Sequence, residues 1–280
     1  MNPVAIVLVL TAAVAHAGWN LFAKRVPHGG ALFVWLAAAC SVVWLLPFVV
    51  VTVLRDGMAG IWWVALGVSG VLHLGYFILL QRGYRVGDLS VVYPLARGSG
   101  PLLSVVAAVW LLHERPGPMA LIGAGAVIAG VFVIGGFGIG GSKGMGYGLV
   151  TGVLIAAYTL WDAHAVTALA APPLVLMTGS SAVETALLAP YAFARRPEVR
   201  ELWREHKVPV LAVALLSPLA YVLVLFAMRL APVSLVAPAR ELSIVIGGVG
   251  AWLLLGEPNP ARRLTGAVIV VAGVAAIAVS

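Results

Sequence analysis

Two arginines lie inside apolar stretches of this chain. Arg97 and Arg240 each stand 17 residues ahead of a glutamate that closes the stretch, Glu114 and Glu257. A guanidinium keeps its charge at any attainable pH and offers five N–H donors in a planar fork that matches a carboxylate or phosphate. Inside hydrocarbon such a charge costs roughly 3 kcal/mol even on a lenient insertion scale, so each arginine needs a partner or a cavity. At 1.5 Å per residue each sits ~10 Å into its helix and ~6 Å from the midplane. The chemistry on offer is recognition of an anionic group. The competing structural role is an ion pair with Glu184, Glu241 or Asp162 that only fixes helix packing. Glu241 follows Arg240 directly, so on a regular helix it points about 100° away. Glu184, mid-helix in SSAVETALL, is the deepest carboxylate and the candidate for proton coupling.

Other polar and aromatic residues gather at depth. His16 and Asn20 are one turn apart with Trp19 beside them, a stripe that suits either cavity lining or helix–helix hydrogen bonding. Tyr158, Trp161 and Asp162, with His164 nearer the helix end, form a similar group, in which Asp162 fits either a buried or an interfacial place. His73, Tyr76 and Gln81 share a third helix, Tyr76 being the best placed in depth. Tyr93 and Tyr221 are candidates for the cavity wall, and Tyr93 equally suits an aromatic belt. Glu114 and Glu257 stand at helix ends beside proline, where a carboxylate caps a helix or pairs with Arg115 or Arg262.

The elements that position these groups follow from composition. Hydrophobic residues make up 62% of the 280 and charged residues 10%, and the mean hydropathy is +1.07. A soluble domain carries about a quarter charged residues, so the chain is an all-α integral membrane protein. Apolar runs of about 20 residues mark ten spans: 3–23, 31–54, 60–82, 89–112, 118–138, 146–165, 172–193, 208–230, 232–255 and 261–280. The first run is read as a retained span, since no Lys or Arg precedes it. One cysteine, Cys40, leaves no disulfide framework and no zinc cluster. The net charge of +7 sits mostly in short loops, where it anchors topology, and nucleic acid is not a partner.

The phrases RGSGPLLSVVAAVWLLHE and RELSIVIGGVGAWLLLGE are copies at an offset of 143, which also relates Gly123 and Gly130 to Gly266 and Gly273. Upstream, Ser90 and Pro94 match Ser234 and Pro238 at 144. Helices 3–5 therefore repeat as helices 8–10, and the unit is five helices. An odd unit must re-enter the membrane from the opposite side, which gives two inverted repeats, 1–141 and 142–280, with a site near the midplane. The glycine pairs are read as close-packing positions. Counting loops, twelve Lys and Arg lie on the side opposite the termini and three on the terminal side. Positive-inside logic places the termini outside.

These residues resemble the drug/metabolite transporter superfamily, in its ten-helix EamA type. The resemblance is carried by Trp19-Asn20 with Lys24 after it, by Tyr93-Pro94 through Pro101 to His113-Glu114-Arg115, and by the echo from Ala237-Pro238 to Gly256-Glu257. It implies a multi-pass carrier of the bacterial inner membrane, often an exporter of amino acids or other small metabolites, with cytoplasmic termini. The expected function is a secondary transporter, in the export direction, of a small polar metabolite with an anionic group, working by alternating access as a monomer or homodimer. Proton coupling is an expectation, and no cofactor or metal is. The alternatives are a flippase for a lipid-linked sugar phosphate and, from another class, an integral-membrane enzyme. No Walker motif, HExxH or Gly-x-Ser-x-Gly element is present to support ATP drive or catalysis.

Overall fold

The computed structural model of the protein describes the backbone of residues 1–26, 30–86, 89–135, 142–255 and 260–280. Among these residues all the regular structure is helical, with no strand. The helices are α1 Pro3–Ala23, α2 Gly30–Asp56, α3 Gly60–Val86, α4 Leu89–Leu111, α5 Pro118–Gly135 and α6 Ser142–Thr167, then α7 Pro173–Ala194, α8 Arg196–Met228, α9 Val233–Ala239, α10 Leu242–Leu255 and α11 Pro260–Val279. Prolines open several of them, where a missing N–H costs nothing. At α1 the Asn2 side chain also accepts from Val4 N at 2.8 Å. By length and composition α1, α2, α8 and most of α3 and α6 each suffice to cross a membrane.

Two spans depart from the sequence expectation. The eighth begins twelve residues early, at Arg196 rather than 208, because Pro197 starts a charged helical stretch that runs into the span. A kink at His206 (φ −125°, ψ 24°) separates the two parts. The ninth is discontinuous. Glu241 N bonds Pro238 O at 3.0 Å, Ser243 N bonds Arg240 O at 3.1 Å and Ile244 N bonds Glu241 O at 2.9 Å, a 3₁₀ step between α9 and α10. Together α9 and α10 form one crossing, so the segments amount to ten.

Inversion is visible in how α5 meets α11. A Cβ on Gly123 would fall 2.7 Å from Gly273 O, and one on Gly273 would fall 2.6 Å from Gly123 O. Gly130 and Gly266 are related in the same way, at 2.8 Å in both directions. Gly123 thus faces the partner of Gly130, and Gly130 the partner of Gly123. The helices are antiparallel, and the two-fold that exchanges them lies across their axes, in the membrane plane. Only glycine permits this backbone approach. The rest of the packing obeys the same operator: α3 on α6 answers α1 on α8, and α4 on α6 answers α1 on α10.

The termini share one face, where Met1 N donates to Ala278 O at 3.1 Å. The largest apolar core fills that half. It joins the starts of α1, α3, α7 and α9 to the ends of α4, α6 and α8, through residues such as Val9, Leu66, Val166, Leu176, Leu225 and Val236. The opposite half is looser. No residue from 72 to 81 on α3 is fully buried, all round the helix, and a side chain added at Gly248 would meet open space. A smaller apolar cluster there joins α2 to α8 through Phe33, Leu36, Val210 and Val213.

Candidate functional site

Arg97 on α4 and Arg240 at the α9–α10 break converge on a single carboxylate. Arg97 Nη2 lies 3.0 Å from Glu241 Oε2, and Arg240 Nε lies 3.5 Å from Glu241 Oε1. The side chains are 16%, 10% and 1% exposed respectively. Arg240 and Glu241 are adjacent in sequence, and the arginine bends back at the 3₁₀ step so that Nε reaches the carboxylate. Neither Glu241 oxygen receives a well-aligned hydrogen bond among the described residues. The carboxylate therefore holds both cations by charge. Arg240 Nη2 also reaches Thr159 Oγ1 at 3.4 Å, and its guanidinium stands 5.8 Å from the Tyr158 ring centroid. Two cations share one anion, so this triad carries one net positive charge.

A second group adjoins it. Asp162, fully buried, accepts a 2.6 Å hydrogen bond from Tyr221 Oη on Oδ2, and His73 Nε2 lies 3.9 Å from the same oxygen. Asp162 is thus a core residue, and the interfacial placement does not hold: α6 extends past it to Thr167, and α3 and α8 cover it. The His73 ring stacks on Tyr158 at 4.1 Å and meets Tyr221 edge-on at 5.2 Å. Tyr76 tilts against Tyr158 at 5.5 Å. Glu184 on α7 is half-buried, within electrostatic reach of Asp162 and Tyr76, and makes no hydrogen bond or ion pair among the described residues.

The helix 1 stripe divides. His16 lies edge-on to Trp19 at 4.9 Å and within electrostatic reach of both arginines. The buried Trp19 Nε1 has no hydrogen-bond partner among the described residues. Asn20 turns back on its own helix, with Nδ2 donating to His16 O at 2.7 Å. Trp161 is turned from the arginines toward α3, where Nε1 donates to Ala65 O at 3.1 Å and braces α6. The Tyr93 side chain and Glu257 lie outside the described residues.

Glu114 is a helix cap. Its two oxygens accept from Val233 N at 2.8 Å and Ser234 N at 2.9 Å, closing the start of α9. His113 reaches it through a left-handed turn (φ 55°), with Glu114 N bonding Ala108 O at 3.2 Å. Three contributors received less weight in the sequence than they hold here: His73, Ser69 and Thr159. The spacing of Ser69 to His73 and of Tyr158 to Asp162, one helical turn each, was the available signal.

A ten-span helical bundle of two inverted repeats, with paired charge held at its centre, is the architecture of a membrane carrier. The sequence pattern of the EamA-like transporter family matches residues 3–136 and 142–279, and the chain belongs to that family. It is a multi-pass transporter of the drug/metabolite superfamily. A solved crystal structure shares the fold at a TM-score of 0.80, with 18% identity over 98% of this chain and 96% of that chain. No curated protein matches the chain.

Proposed function

We infer that the protein is a secondary transporter for a small polar metabolite bearing an anionic group, such as an amino acid, an organic phosphate or a phosphonate. Arg97 and Arg240 take the anion, and the repeats 1–141 and 142–280 rock about the two-fold to expose it on either side. One observation carries this reading: two buried guanidiniums converge on one carboxylate, so the triad holds one more positive charge than negative. His16, Trp19, Tyr76 and Tyr158 line the approach, with Tyr221 beside them. The protein sits in a bacterial inner membrane, with the basic loops toward the cytoplasm.

The test is flux in proteoliposomes against a panel of amino acids, sugar phosphates and phosphonates. Wild-type protein is expected to move at least one anionic member. Arg97→Ala and Arg240→Ala should each abolish that flux while inserting and purifying normally. Undiminished flux in either variant overturns the two-arginine site.

A further inference from the structure

The Asp162–His73 contact has a proton inventory that its geometry dictates. His73 Nδ1 lies 2.9 Å from the Ser69 backbone carbonyl oxygen and farther, at 3.4 Å, from the Ser69 hydroxyl, so the carbonyl is its closer partner. A carbonyl can only accept, so Nδ1 carries the hydrogen. In a neutral ring Nε2 then presents a lone pair, and it faces Asp162 Oδ2 at 3.9 Å. That oxygen already accepts from Tyr221, the Ser69 hydroxyl stands within reach of the carboxylate, and Oδ1 is buried without a well-aligned hydrogen bond among the described residues. Two lone-pair groups facing each other in a low-dielectric interior repel, and a bare carboxylate there is costly. One proton resolves both problems. It sits on Nε2, making an imidazolium–carboxylate pair, or on Asp162, making a neutral acid beside a neutral ring. Either form leaves the pair without net charge.

We propose that His73 and Asp162 hold one shared proton between them, and that this proton is the coupling ion of the transport cycle. The site lies beside the anion centre. His73 stacks on one side of Tyr158, and the Arg240 guanidinium stands by the same ring. The charged and titratable groups around the pair are Tyr221 on α8, Arg240 at the α9–α10 break, Tyr158 on α6, Glu184 on α7 and, through Tyr76, Arg97 on α4. The sign follows from electrostatics. Losing the proton leaves a negative charge next to Arg240 and weakens its hold on an anion, so proton and anion favour each other's binding. They move in the same direction, which is set by the proton gradient rather than by the export role frequent in the family.

The coupling rests on the transporter reading, whereas the shared proton does not, and the test separates them. The first arm is ¹⁵N-imidazole resonance of labelled protein in lipid nanodiscs, with His73 assigned by its loss in His73→Gln. The expected result is a protonated Nδ1, with either a protonated Nε2 or an infrared carboxylic-acid band that vanishes in Asp162→Asn. A neutral ring with its hydrogen on Nε2 overturns the proposal. So does a neutral Nδ1–H ring without that band. The second arm loads a pH-sensitive dye inside proteoliposomes and adds the panel compound that wild-type protein moves fastest. Proton movement with the compound is expected. Compound flux with no dye response, or a response of opposite sign, overturns the coupling while the transporter reading stands.

Discussion

Removing the carboxylate that joins the two arginines gives a test whose size can be worked from the structure. Glu241 lies 3.0 Å from one guanidinium and 3.5 Å from the other, and is 1% exposed. At an effective dielectric near 20 each contact amounts to ~5 kcal/mol of gross attraction. Most of that offsets desolvation, but deleting one partner of a buried pair leaves the penalty uncompensated, at about 3–5 kcal/mol. Glu241→Ala should therefore destabilise by about 4 kcal/mol, since it leaves two cations facing each other. Deleting Arg97 as well removes that repulsion, so the double variant should be about 1–3 kcal/mol more stable than the sum of the single effects. The assay is equilibrium unfolding in mixed micelles at low chloride, followed by tryptophan fluorescence. Inorganic phosphate supplies a second readout. In Glu241→Ala it should take the vacated place between the arginines and restore about 2.7 kcal/mol at a concentration a hundredfold above its Kd. Additive losses, with no response to phosphate in Glu241→Ala, would refute the idea that these three charges form one unit with a latent anion site.

Three further outcomes are expected. Glu114→Ala deprives Val233 N and Ser234 N of their acceptor and should lower stability by about 1–2 kcal/mol in the same unfolding assay, with Glu114→Gln losing less. Gly123→Val drives a side chain into the Gly273 carbonyl; it should cost about 1–3 kcal/mol and separate α5 from α11, measurable as lost cross-linking between cysteines placed on the two helices. A phosphatase reporter, active only outside the cytoplasm, fused after Ser280 should be active if the basic loops lie inside; an inactive but stably expressed fusion reverses the orientation.

Much of this was legible in the residues. The glycine pairs repeated at a fixed offset, and their crosswise contact is the two-fold made visible. Buried arginines are conspicuous because hydrocarbon tolerates so few charges. Side-chain direction was not legible. Asn20 bonds its own helix and Trp161 braces α3, although spacing alone placed both with cavity-lining neighbours. His73 was underweighted because a lone histidine in an apolar helix does not show which neighbour it meets. Its stacking on Tyr158 and approach to Asp162 come from packing between α3 and α6, across many residues of sequence.

The departure from symmetry is as informative as the symmetry. At the repeat offset, Glu241 corresponds to Gly98. The first copy has no room for a counterpart: a Cβ on Gly98 would lie 2.6 Å from the Phe132 ring. Two arginines are thus kept with one carboxylate. Had the repeat been exact, each guanidinium would carry its own anion and the centre would be neutral. Pro238 and Pro94 also correspond, yet α4 runs unbroken through Arg97 while the second copy breaks at Arg240. Proline alone does not make the break. The second copy is one residue shorter between this proline and the arginine, and it carries a carboxylate at the step whose side chain meets both cations. The single carboxylate sits at the discontinuity. It turns a duplicated pair of charges into a centre with one positive charge to offer.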